Sequence, residues 1–589
     1  MIHFFSWYLT LTLLGLLSFP LVYSLFPKLA DRGYSLSRAA GMLVWSYFFW
    51  ILTSLGISEN NLGGILLGLA VLISLSLWAA SRVFSDFHSI IEWFKKNSRL
   101  IITVESLFFL SFAALALFRA ANPEALGTEK PMELAFINAI LRSPTFPPRD
   151  PWLSGYAISY YHFGYIMTAM LAKLTATAGS IAFNLMIALI FALSAVGAYG
   201  ILYNLQALDN EVRNSKSKIQ NSALLAPLFL LLVSNFEALL EMLHQNGIFW
   251  RANAPNFWTW LNIKTLNEDP ATLVPVPERF WWWWRASRVV QDFDLAGNFR
   301  EVIDEFPAFS FILGDLHPHV LSLPFILLAV AIALHIYLGG WRGERKIFGF
   351  RFTLSPLGIF IVALILGGLA FLNTWDILIA AALIASAYTL KRVNEDNWGW
   401  QRIEDFLYFG MLTGIAAILL YLPFYLGFSS QAGGILPNLI NPTRGAHLWV
   451  MFGTLLLPIF FWMITLWRGQ INWKRGFGLV LGLLFALWLL SWLIAWVASI
   501  ANSALAMTLI QSQGLTRFGE LFSRANARRG AYLGGTLTLL LVAGGAVSLL
   551  FFRKTPINIG QDERRAPSAT SFILLLTLLG SLLVIAPEF

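Results

Sequence analysis

The sequence returns repeatedly to apolar stretches of about 20 residues, the length that crosses a bilayer. Such runs cover residues 4–26, 39–57, 62–80, 100–120, 180–206, 222–242, 318–338, 353–373, 375–390, 405–428, 447–467, 477–500, 532–552 and 570–587. Backbone in hydrocarbon must satisfy its own hydrogen bonds, so each run predicts a helix. The expected fold is an all-α polytopic transmembrane bundle of about fourteen spans in the cell membrane. Composition agrees: 57% of residues are hydrophobic and 12% charged, against about 25% charged in soluble proteins. That leaves too little polar surface to solvate a globule of this size. The first run, near MIHFFSWYLTLTLLGLLSF, has no basic n-region and no small-residue cleavage site, so it is expected to be a span.

Charge sets the orientation. The net charge is +8, but the basic residues sit in short loops between apolar runs. They report membrane orientation, and nucleic acid is not an expected partner. Lys28, Arg32 and Arg38, then Arg82, Lys95, Lys96 and Arg99, and the later basic loops near 213–218, 342–351, 391–402, 468–475 and 553–565 all face the cytoplasm on one condition. Residues 156–178 must be a surface or re-entrant helix and not a span. One loop disagrees. Residues 501–531 carry Arg517, Arg524, Arg528 and Arg529 yet fall outside. Either the count shifts there or these arginines meet an anionic partner. Three regions follow: N-terminal spans over 1–99, a core over 100–390 with exoplasmic loops 121–179 and 243–317, and C-terminal spans over 391–589. The absence of cysteine removes disulfides, thiolate nucleophiles and iron–sulfur clusters.

The first outer loop reads ALGTEKPMELAFINAILRSPTFPPRDPWLSGYAISYYHFGY. Glu129 and Glu133 are four apart and share one face of a helix that begins near Pro131. Its apolar positions make it amphipathic, suited to a membrane surface. Asp150 follows in a proline-rich turn. One of these acids can serve as a general base toward an acceptor hydroxyl. The structural alternative is that Glu129 caps the helix and Asp150 starts a turn.

The second outer loop contains FWWWWRASRVVQDFDLAGNFREVIDEFPAFSFILGDLHPHV. Asp315 and His317 sit just before a helix begun by Pro318, and His319 falls in its first turn. Three roles compete. The trio can ligate a divalent metal, the histidines with the helix N-terminus can hold a phosphate, or Asp315 can cap the helix. A metal is not the favoured reading, and no cofactor is assigned. Trp281 to Trp284 are read as an interfacial belt, with one or two available to stack on a sugar. Asn373 and Asp376, between two spans, suit an N-cap and a first-turn acid.

An acid just beyond a span, an amphipathic helix and a Pro-rich turn together resemble the first outer loop of GT-C type membrane glycosyltransferases. EKPMELAFINAILRSPTFPPRDPW, EFPAFSFILGDLHPHVLSLPF and FLNTWD also resemble an uncharacterised family of polytopic membrane proteins, called YYY for a tyrosine triplet. Here the triplet position reads Tyr160, Tyr161 and His162, a departure in its last member. The GT-C resemblance implies an inverting transferase that takes a sugar from a polyprenyl-phosphate-linked donor to an exoplasmic acceptor. Glu129 would be the base, with Glu133 and Asp150 orienting or alternative acids. Tyr160, Tyr161, His162, Asp315, His317, His319, Asn373, Asp376 and Arg517 would contact substrate. The rival readings are a transporter or flippase of lipid-linked or anionic substrates, and a non-catalytic envelope scaffold. Against a carrier, the spans hold few charges, Glu237 and Glu241 being the exceptions noted.

Overall fold

A computed structural model describes the chain except residues 85–86, 209–215, 252–255, 271–275, 279–280, 348–349, 430–435, 468 and 554–566. It is 72% helical, with ten helices among the described residues long and apolar enough to cross a membrane. The chain forms two compact units, each assembled from separated segments. Unit 1 comprises Met1–Leu232, Ser310–Gln431 and Arg564–Phe572, and unit 2 comprises Val233–Phe309, Ala432–Glu563 and Ile573–Phe589.

Unit 1 contains helices α1 (Ile2–Leu25), α2 (Ser37–Ser54), α3 (Leu62–Val83), α4 (Ser98–Ala121), α5 (Lys130–Arg142), α6 (Phe163–Leu174), α7 (Gly179–Gln206), α8 (Pro318–Tyr337), α9 (Pro356–Leu372), α10 (Thr374–Asp396) and α11 (Gln401–Leu420). Local chemistry starts several of them. Asn61 accepts from the Gly64 N–H at 3.0 Å at the head of α3, and Ser355 accepts from Gly358 at the head of α9. Proline occupies the first turn of α5, α8 and α9, where its missing N–H costs nothing. The uniformly apolar α7 and α8 are buried over most of their length, as expected of helices with no polar face. The similarly apolar α3 and α4 leave most of their surface outward.

Four of the expected spans differ from the ten. Residues 39–57 become the 18-residue α2, 353–373 the 17-residue α9, and 375–390 lie within the longer α10. The fourth, 222–242, is broken. Its helix ends at Leu231 and a new one runs from Glu237 to Gln245. In unit 2 the Asn235 amide donates to the Ala286 carbonyl at 2.6 Å, and the Phe236 N–H to Val450 at 2.9 Å. These bonds replace helical ones, so Glu237 and Glu241 do not sit in a continuous span. Conversely, α4 carries Glu105, which pairs with Arg38 and accepts from the Tyr34 hydroxyl at 2.8 Å. The spans therefore hold more charge than their average hydropathy suggests, and Glu105 is paired.

Residues 156–178 contain only the 12-residue α6, about 18 Å long at 1.5 Å per residue, short of a hydrocarbon core of about 30 Å. It is buried in the protein and not on a surface. Its C-terminal Lys173 donates to the Asn60 carbonyl. Unit 1 thus has two ends. One gathers Asp31 with Asn204, Arg38 with Glu105, and Trp341 with the Leu25 carbonyl. The other gathers the starts of α1, α7 and α8 and the end of α4.

Unit 2 folds residues of the second loop around a core of its own, including Trp258, Leu261, Ile263, Leu266, Val289, Val450 and Met451. A short antiparallel hairpin pairs Gln291–Phe293 with Phe299–Glu301. Trp282–Trp284 lie on a 3-10 turn, half-buried, with Trp283 and Trp284 against Phe309 and Arg288 over the Trp284 ring at 4.6 Å. They pack as a small aromatic core and not as a ring around a helix.

Candidate functional site

The expected amphipathic helix is present as α5, with Glu129 at its N-cap and Pro131 in its first turn. Phe136, Ile137 and Ile140 bury one face. Its far end is fixed by Asn60, whose side-chain amide donates to the carbonyls of Ile140 and Ser143, both at 2.7 Å. Glu133, four residues after Glu129, is turned fully inward, while the Glu129 side chain keeps about half its exposure, 53%. Glu129 makes no side-chain cap bond to its own helix. It instead meets His317 Nδ1 at 2.9 Å, and Glu133 lies 3.5 Å from the same nitrogen.

The segment before α8 is shaped to receive these acids. Gly314 has φ +72°, a left-handed conformation that L side chains resist. The Arg119 guanidinium also lies where a β-carbon on Gly314 would stand. The turn aims the Leu316 N–H at Glu133, which accepts it at 2.9 Å. Asp315 does not cap α8, whose N-cap is His317 without a side-chain cap bond. Asp315 lies beside Glu133. Burial pushes the Glu133 carboxyl up to about 8, opposed by the bonds from Leu316 and Asp315. Burial thus favours the neutral form of Glu133, while the Glu129 side chain stays half-exposed at the rim.

Around this core lie several residues expected from sequence. Tyr160 is close enough to Glu129, Glu133 and Asp315 for burial and their charge to raise its hydroxyl well above the usual range. Tyr161 stacks on Tyr160 with centroids 5.1 Å apart. His162 turns inward, its Nδ1 2.8 Å from the Tyr160 carbonyl and its ring edge-on to Phe371, and burial lowers it to about 4. The departure from a third tyrosine is thus a neutral, packed imidazole. Asp376, in the first turn of α10, bonds with Ser322 and Asn373 and lies near His319.

Two residues take the structural alternative. Asp150 Oδ1 accepts the N–H groups of Trp152 and Leu153 at 2.7 and 2.8 Å, as a turn-initiating aspartate does. No described contact joins it to the acid cluster. Arg517 is an exposed N-cap residue of the Phe518–Ala531 helix of unit 2. In that helix Arg528 donates to the carbonyls of Phe293 and Ile440, and Arg529 to those of Asn438 and Glu588. The latter two arginines are thus occupied by backbone. Among the described residues no three His, Asp or Glu are placed to hold a metal ion. The imidazoles of His317 and His319 are neighbours, with ring centroids 5.1 Å apart.

Sequence reasoning missed Arg119 and Lys130. Arg119 is 3% exposed, and its Nε donates to Asn184 Oδ1 at 2.9 Å. Lys130 is buried near Arg119, Asp315 and Glu133, and burial with Arg119 lowers its ammonium. A signal existed for Arg119: an arginine at the end of a span that the charge pattern assigns to the outside runs against the positive-inside bias.

Neither a curated protein nor a solved structure matches the chain. A family model does match, over residues 44–589, nearly the whole length. The chain belongs to that family, described as Uncharacterized membrane protein (DUF2298).

Proposed function

We propose that the protein is a membrane glycosyltransferase that moves a sugar from a polyprenyl-phosphate-linked donor to an acceptor on the exoplasmic side of the cell membrane. The observation that carries this reading is the pairing of a half-exposed Glu129 with His317 at 2.9 Å, beside a buried Glu133 whose carboxyl burial raises. A strongly perturbed buried acid next to an accessible one marks a candidate functional site. Glu129, the exposed carboxylate, takes the acceptor proton, and His317 orients it. Glu133 and Asp315 hold the turn that presents His317. Lipid phosphate leaves without needing a proton, so one base suffices and the anomeric carbon inverts. Asp150 drops to a turn residue in this scheme, and Tyr160 lines the site. The ligand-contact roles of Tyr161, His319, Asn373 and Asp376 are secondary, and Arg517, in unit 2, is assigned none.

The test supplies purified protein in nanodiscs with labelled polyprenyl-phosphate sugars and cell-envelope acceptors. The reading expects a glycosylated product of inverted anomeric configuration. Movement of intact lipid-linked substrate between leaflets with no product would replace it with the flippase reading.

A further inference from the structure

Between the start of α1, the end of α4 and the start of α7 lies a cavity of about 740 Å³. Its walls are almost wholly apolar, with Phe4, Phe5, Leu117, Ile181 and Leu185 among them. Arg119, Asn184 and Ser180 also line it. We propose that this cavity binds a lipid phosphate, its chain in the apolar groove and its phosphate on Arg119.

Three observations carry the site. The first is Arg119 itself. Its Nε is held by Asn184 and its Nη2 makes only a long bond of 3.4 Å to the Glu124 carbonyl. No ion pair to it occurs among the described residues. A guanidinium so buried is costly without an anion. Its planar donor fork suits phosphate. The second is the start of α7. This 28-residue helix has no side-chain cap at Ala178, and Ser180 and Ile181 of its first turn line the same cavity. Uncapped N–H groups at a helix N-terminus attract anions. The third is the lining: apart from Arg119, His3, Ser180 and Asn184 the wall is apolar, which suits a charged group carried on an apolar chain. The volume falls in the range of about 300–1,000 Å³ usual for small-molecule sites.

The proposal deepens the transferase reading and rests on it for its catalytic meaning, because Arg119 also packs against Gly314, next to Asp315. A phosphate on Arg119 lies beside the acid cluster. The sequence alone offers His317, His319 and the Arg517 loop as phosphate contacts, and the proposal adds Arg119.

The experiment measures lipid binding by native mass spectrometry of the full chain, with undecaprenyl phosphate, undecaprenol and phosphatidylglycerol as probes. Undecaprenyl phosphate is expected to bind, and undecaprenol to bind at least tenfold more weakly. Arg119→Leu should lose that preference and Arg119→Lys should keep part of it. Because Arg119→Leu removes a packed side chain, Ile181→Trp, which fills the groove without touching the arginine, is measured too and should weaken both chains equally. Equal binding of undecaprenyl phosphate and undecaprenol, or unchanged binding in Arg119→Leu and Ile181→Trp together, would overturn the site. Stronger binding of phosphatidylglycerol than of undecaprenyl phosphate would assign the site to a bilayer lipid. None of these readouts depends on transfer, so failure of the transferase reading alone leaves binding intact.

Discussion

At the scale of single residues, the site turns on who holds the protons. Glu133 is raised from the ordinary value near 4.5 to about 8. Between those values the folded state binds more protons than the unfolded one, so stability falls as pH rises from about 4.5 to about 8 and levels off above. Glu133→Gln keeps the acceptor for Leu316 and removes the ionisation. Its apparent melting temperature in detergent should lose that fall with pH, and an unchanged slope would place the proton elsewhere. Gly314 gives a second prediction. Gly314→Ala meets a left-handed backbone, costing about 1–2 kcal/mol, and displaces Arg119. Thermal stability should drop, with lipid phosphate binding weakened in parallel. Glu129 and Glu133 were legible because a four-residue spacing puts them on one helical face. The partnership with Asp315 was not, because it joins residues 182 positions apart, bringing Asp315 to Glu133. The same spacing gave no hint that one of the two acids would be buried and the other left at the rim.

At the scale of elements, α5 and α6 carry the site, and both depend on the loop between α2 and α3. Asn60 caps the last carbonyls of α5 and its own carbonyl receives Lys173 from α6. Asn60→Ala removes two buried hydrogen bonds, worth about 1–3 kcal/mol together. Hydrogen exchange should quicken in the last turn of α5 first, and uniform protection would show that the cap is not what holds it. The existence of α5 followed from Pro131 and the apolar pattern. The break at 232–236 did not, because its residues remain apolar enough to continue a span. Only tertiary bonds from Asn235 and Phe236 stop the helix. The shortness of α6 was legible only through charge: counting it as a span put later basic loops on the wrong side.

At the scale of the molecule, orientation follows from where basic loops lie. A reporter fused just after Gln206, at the end of α7, should be cytoplasmic. An external signal would invert the end of unit 1 that holds the acids. Multi-pass membrane character was evident from composition alone. The exact number of crossings was not, because α2, α9 and α10 are helices whose length or polarity leaves them outside a simple hydropathy criterion. The gathering of acids, histidines and tyrosines at one end of unit 1 agrees with a site that meets a lipid-borne substrate. We propose Glu129 as the base of a sugar transfer at that end. The transfer rate of Glu129→Gln, set against wild type and Asp150→Asn at equal membrane levels, tests this. Glu129→Gln should lose about 10²–10⁴-fold, and Asp150→Asn should transfer at a near-normal rate. Full transfer by Glu129→Gln would contradict it.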